Sequence, residues 1–125
     1  MNNLQRIINQ GGMNYVESIE DIPSNIMGKI EKKATLNKDK FVCLVYTKSI
    51  FGGVSFIIVY TDKFMRYMSS RIDQNKFSDV TGIEIFGNSI KILSPGNKTS
   101  LSFNLASDIK NKMFYHLNNC WDNIK

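Results

Sequence analysis

Few residues in this chain have types and spacing suited to chemistry. The single histidine, His116, stands four residues before Cys120. That i, i+4 spacing lets two side chains meet on one helix face. A thiolate–imidazole pair needs a third group to orient the imidazole, and no orienting acid is evident. Cys120 also falls on the apolar side of its segment, so His116 reads as a half-buried helix residue. Cys43 lies in the apolar run FVCLVYT, and no CxxC occurs. Two distant cysteines and one histidine fall short of the three or four ligands a zinc ion needs. Both thiols read as reduced core residues, and neither a metal nor another cofactor is expected.

The acids make no stronger case. Asp62 sits in a Thr-Asp-Lys turn and Asp79 at the start of a strand, where local hydrogen bonding accounts for both. No carboxylate pair has a spacing that calls for acid–base work. Gly52-Gly53 lacks the lysine and hydroxyl context of a phosphate-binding loop and reads as a turn between strands. The chain is therefore expected not to be an enzyme.

The net charge is +5, and the basic surplus is spread along the chain, with its largest share in residues 41–104. There is no dense Lys/Arg cluster of the kind that marks a nucleic-acid footprint. A weaker form would be a basic sheet face carrying Arg66, Arg71, Lys76 and Lys91 beside aromatic residues. That is the alternative reading. The leading one rests on Ile50 and Phe51, placed at a loop tip in KSIFGGV. Large apolar residues there either tuck back onto their own domain or fill a pocket in a partner, where a few aromatic side chains often dominate the contact. Lys48, Lys63, Arg66 and Arg71 join them as candidate partner-binding residues. The expected partner is a protein. A homo-oligomer built from strand edges or the N-terminal segment is a further reading.

The elements that must position these residues follow from hydrophobic period. In residues 1–36, Leu4, Ile7 and Ile8, then Tyr15, Val16, Ile19 and Ile22, then Ile26, Met27 and Ile30 recur at helical spacing. Gly11-Gly12 and Pro23 interrupt the pattern. A helical N-terminal extension is expected over 1–36, with the domain proper over 37–125. From Phe41 the period becomes that of strands: KFVCLVYT, GVSFIIVY, FMRYMSS, a weaker run over 72–77, DVTGIEIF, SIKIL and SLSF. In FMRYM, Phe64, Arg66 and Met68 alternate with Met65 and Tyr67. Gly87-Asn88 predicts a tight hairpin, and Pro95-Gly96 a type II turn. Ser107 predicts a helix N-cap. Ile109, Met113, Phe114, Leu117, Cys120, Trp121 and Ile124 then form one helical stripe, which packs as core.

The expected fold is α+β: a strongly bent antiparallel sheet or partly open barrel of six to seven strands, capped by a C-terminal amphipathic helix. The N-terminus lacks the apolar centre of a secretory signal. No stretch approaches the ~18 apolar residues of a membrane span. A cytoplasmic location is expected, and abundant Asn, Ile and Lys suggest an AT-rich bacterial or phage genome.

Over roughly residues 41–123 the order resembles bacterial pleckstrin-homology-like domains. Thr61-Asp62-Lys63 between two strands is similar to their strand connection. Asp79, Val80, Thr81 and Ile83 are similar to a later segment preceding a hairpin with glycine at its tip. The resemblance implies a binding scaffold, such as an adaptor or an inhibitor of a host protein. Phosphoinositide binding is not expected. Lys48 matches the first basic position of that site, but no Lys or Arg occurs between Ser49 and Tyr60.

Overall fold

The computed structural model describes residues 8–10, 12–48, 53–68, 70–95 and 98–124, with backbone alone for 8–10 and 98–103. Nine strands and two α-helices make up the described fold. Strands β1 (Ile8–Gln10), β2 (Met13–Val16), β3 (Phe41–Lys48), β4 (Val54–Tyr60), β5 (Lys63–Met68) and β6 (Arg71–Lys76) form one antiparallel sheet in sequence order. Strands β7 (Gly82–Phe86), β8 (Ser89–Ser94) and β9 (Lys98–Asn104) form a second. Helix α1 (Ser24–Glu31) precedes β3, and α2 (Ser107–Ile124) closes the chain.

The class is α+β, as the alternating patterns predict, and residues 41–104 hold seven strands. They do not form one sheet. The break falls where a 3-10 turn, Phe77–Asp79, sends the chain from β6 to β7. Phe77 is buried there and packs against Phe64 with ring centroids 5.6 Å apart. Asp79 thus sits in this turn, and β7 begins only at Gly82.

The N-terminal expectation needs a larger correction. Residues 8–16 are strand, and α1 spans only Ser24–Glu31, with Pro23 as its N-cap. Leu4 and Ile7 lie outside the described residues. Gly12, at φ +83, permits the turn that pairs β1 with β2. Strand β2 then adds to the free edge of β3, with Tyr15 opposite Val45 and Val16 opposite Leu44. Tyr15 and Val16 are both fully buried, but in different cores. The six-stranded sheet is covered on both faces, so adjacent apolar residues on one strand are both wanted. That pattern imitates a helical stripe.

The same two-sided burial explains the unbroken apolar runs of β3 and β4, the central strands. On one face Cys43, Val45, Ile57, Val59 and Phe64 pack with Ile90 and Ile92 of the second sheet and with Ile109, Met113 and Leu117 of α2. On the other, Leu44, Phe56, Ile58, Tyr60 and Met65 pack under Ile22, Ile26, Ile30 and Leu36. Residues 13–16 therefore belong to the sheet, and residues 19–36 form a layer over its second face.

Helix α2 follows its predicted stripe through Cys120, with Phe114 and Trp121 partly buried, whereas Ile124 is exposed at its end. Its first carbonyl acceptor is Ala106, which takes the amide of Lys110 at 2.7 Å, so the cap is Ala106, one residue before the expected Ser107, and the helix itself starts at Ser107. Gly87, at φ +58, makes the β7–β8 hairpin. Gly96 lies outside the described residues. Among the described residues, no helix is long and apolar enough to cross a membrane.

Candidate functional site

The structure gives His116 a partner the sequence did not suggest. Strand β2 ends one residue before Glu17, and α2 crosses the same face of the sheet. Glu17 Oε2 accepts the Tyr15 hydroxyl at 2.6 Å and lies 2.7 Å from His116 Nε2. Burial pulls the Glu17 carboxyl up, but the hydrogen bonds from Tyr15 and His116 outweigh it and hold the carboxyl below its ordinary value. It is then an acceptor only, so His116 Nε2 must donate. Burial, helped by Cys43 and Glu17, pushes the Tyr15 phenol up, which keeps it a fixed donor. This chain of contacts joins β2 to α2 and presents no free base.

Both cysteines are free thiols and buried. Burial raises each thiol above its ordinary value, against the acidity a nucleophile needs. Cys43 Sγ instead lies 3.9 Å from Met113 Sδ, deep in the core. Among the described residues, no group of three or more His, Cys, Asp or Glu could hold a metal ion.

The candidate binding residues separate into three places. Lys63 starts β5 at the end of the sheet away from the β3–β4 loop. Its ammonium meets Gln74 Oε1 at 3.3 Å and lies over the Tyr60 ring at 5.8 Å. Arg66 and Arg71 converge on one carboxylate: both guanidinium groups reach Asp73 at 3.1 Å. The hydrogen bond from Arg66, reinforced by Arg71, holds the Asp73 carboxyl below its usual range. Lys48 ends β3 and is exposed. Ile50 and Phe51, which follow it, lie outside the described residues.

The basic sheet face is not assembled. Arg66 pairs across strands with Asp73 on one face, and alternation places Lys76, three residues on, on the other. Lys91 belongs to the second sheet, with its ammonium 4.6 Å from the centre of the Phe86 ring.

What the fold does gather lies at the sheet end carrying the β3–β4 loop and the β5–β6 turn. There Lys48 faces Lys29, Lys32 and Lys33 of α1 and its C-terminal end across a groove of about 510 Å³. On the opposite face, Met68 lines an apolar cleft of about 320 Å³ with Met13, Val45, Ile57 and Leu105. Met68 is 46% exposed; Ile72, 44% exposed, pairs with Tyr67 and so belongs to the α1 face. Sequence reasoning does not single out Lys29, Lys32 and Lys33, which lie in the last turn of α1 and just after it. Their spacing beside the buried pair Ile26 and Ile30 was the available signal. No family model, curated protein or solved structure matches this chain.

Proposed function

We propose that this chain is a non-catalytic binding module acting through protein–protein contacts, on a pleckstrin-homology-like scaffold over residues 41–123. The scaffold reading is supported by seven antiparallel strands followed by a helix that packs on the sheet. The binding reading rests on one observation. Met68 and Ile72, large apolar residues left exposed in one hairpin, project from opposite faces at the sheet end where β3 closes on Lys48. A partner gripping the β5–β6 hairpin, whose β6 is an edge strand of the sheet, would cover both, and a few such apolar anchors often dominate a contact.

The test is capture from a bacterial lysate on immobilised protein, with quantitative mass spectrometry. Wild type, Phe51→Ala and a Met68→Ser/Ile72→Ser double variant are compared, with Tyr115→Ser on the outer face of α2 as control. A protein retained by wild type and the control but lost by the other two is the expected result. Equal retention by all four would remove this surface from the account.

A further inference from the structure

The same sheet end has a second surface, on the α1 side, and we infer that it docks an acidic, carboxylate-rich segment of a protein partner. This rests on the protein-binding reading above and names the chemistry of the partner. The groove is lined by Lys29, Lys32, Lys33 and Lys48, together with Ser55 and Tyr67. No carboxylate is among its described lining residues. Glu31, the acidic residue of α1, is turned about 160° from Lys29 at 100° per residue.

The placement is more than a helix-end preference. The macrodipole favours cations at the C-terminal end of α1, which accounts for three of the lysines. It does not account for Lys48, which β3 delivers to the facing wall. The Lys33 ammonium lies 5.5 Å from the centre of the Tyr67 ring, which fixes one charge beside the groove. The like charges of Lys32, Lys33 and Lys48 around one groove repel each other, and a bound anion converts that repulsion into attraction.

Protein carboxylates fit this patch better than a nucleic-acid strand. A phosphate backbone is followed by an extended basic track. Here the neighbouring cations lead elsewhere: Arg66 and Arg71 are bound to Asp73, and Lys63 and Lys76 pair at the far end of the hairpin. The basic patch is local, and exposed Met68 and Ile72 border the same sheet end.

The experiment measures fluorescence anisotropy of a labelled twelve-residue glutamate peptide and a labelled twelve-residue oligothymidylate at low and physiological salt. The proteins are wild type, Lys29→Gln/Lys32→Gln/Lys33→Gln, Lys48→Gln, and a control of equal charge loss elsewhere, Lys38→Gln/Lys76→Gln/Lys112→Gln. All seven positions are intermediate or exposed side chains, and circular dichroism melts verify folding. The expected result is salt-sensitive peptide binding, weakened about tenfold or more by the helix triple variant and a few-fold by Lys48→Gln, with the control close to wild type. Absence of peptide binding, equal weakening by the control, or tighter binding of oligothymidylate would each overturn the inference. If peptide binding fails while capture still depends on Met68 and Ile72, the acidic-segment inference falls and the protein-binding reading stands.

Discussion

Glu17 and His116 are ninety-nine positions apart in the chain and 2.7 Å apart in the fold. Their contact ties the strand that enlarges the sheet to the helix that closes it. Tyr15, fully buried, supplies the second hydrogen bond to the same Glu17 oxygen. Glu17→Ala therefore leaves a buried hydroxyl without its acceptor, a loss of about 1–3 kcal/mol. Urea denaturation should show a lower midpoint with an unchanged slope, and Glu17→Gln should recover part of the loss because its amide oxygen can still accept.

Acid should act through the same carboxylate. Glu17, Asp62 and Asp73 are all held below their ordinary values, Asp62 chiefly by the hydrogen bond from Lys40 at 3.0 Å. A depressed carboxyl stabilises the fold above its ordinary value, 4.5 for glutamate and 3.8 for aspartate. That contribution is lost as pH falls through the lower folded value. Calorimetry between pH 6 and pH 3 should show a falling Tm, with a smaller fall in Glu17→Gln than in wild type.

The first 36 residues should prove indispensable for stability. Ile26 and Ile30 are buried against Leu44, Ile58 and Tyr60 on the second face of the sheet. Ile30→Ala should cost about 2–5 kcal/mol. A fragment of residues 37–125 would expose that whole face, and is expected to bind a hydrophobic dye and melt without cooperativity. A cooperative melt of the fragment near the full-length Tm would contradict the layered arrangement.

The thiols offer a probe of the other core. Cys43 is fully buried and Cys120 nearly so, and burial raises both. Reaction with a disulfide reagent at pH 8 should be slow in the native protein, slower at Cys43 than at Cys120, and rapid at both once the chain is unfolded. Mass spectrometry of the labelled cysteines distinguishes the two.

Most strands from Phe41 onward and the α2 stripe are legible in the sequence because they have a clear period or a turn signal at their ends, the polar β6 and the turn at Asp79 being the exceptions. Gly87-Asn88 is the plainest case. Tyr15 and Val16 look helical in the sequence because a strand buried on both faces loses its alternation, and the remaining apolar pair fits a helix equally well. The groove is hidden by the same ambiguity. With residues 1–36 taken as an extension, nothing brought Lys29, Lys32 and Lys33 to Lys48, since the closure depends on α1 packing over β4. The His116–Glu17 contact was illegible for a related reason. It joins two elements whose proximity only the tertiary fold creates. Arg66 and Arg71 were visible as cations, but their shared partner Asp73 became evident only with the β5–β6 register.

The central claim is that partners dock at the sheet end bearing Lys48, Met68 and Ile72. Site-specific photo-cross-linking tests it most directly, with a benzophenone side chain at position 72 and, for comparison, at position 115. The account predicts a partner adduct from position 72 that is absent from position 115 and is competed by unlabelled wild-type protein. Adducts from position 115 alone, or equally from both, would contradict it.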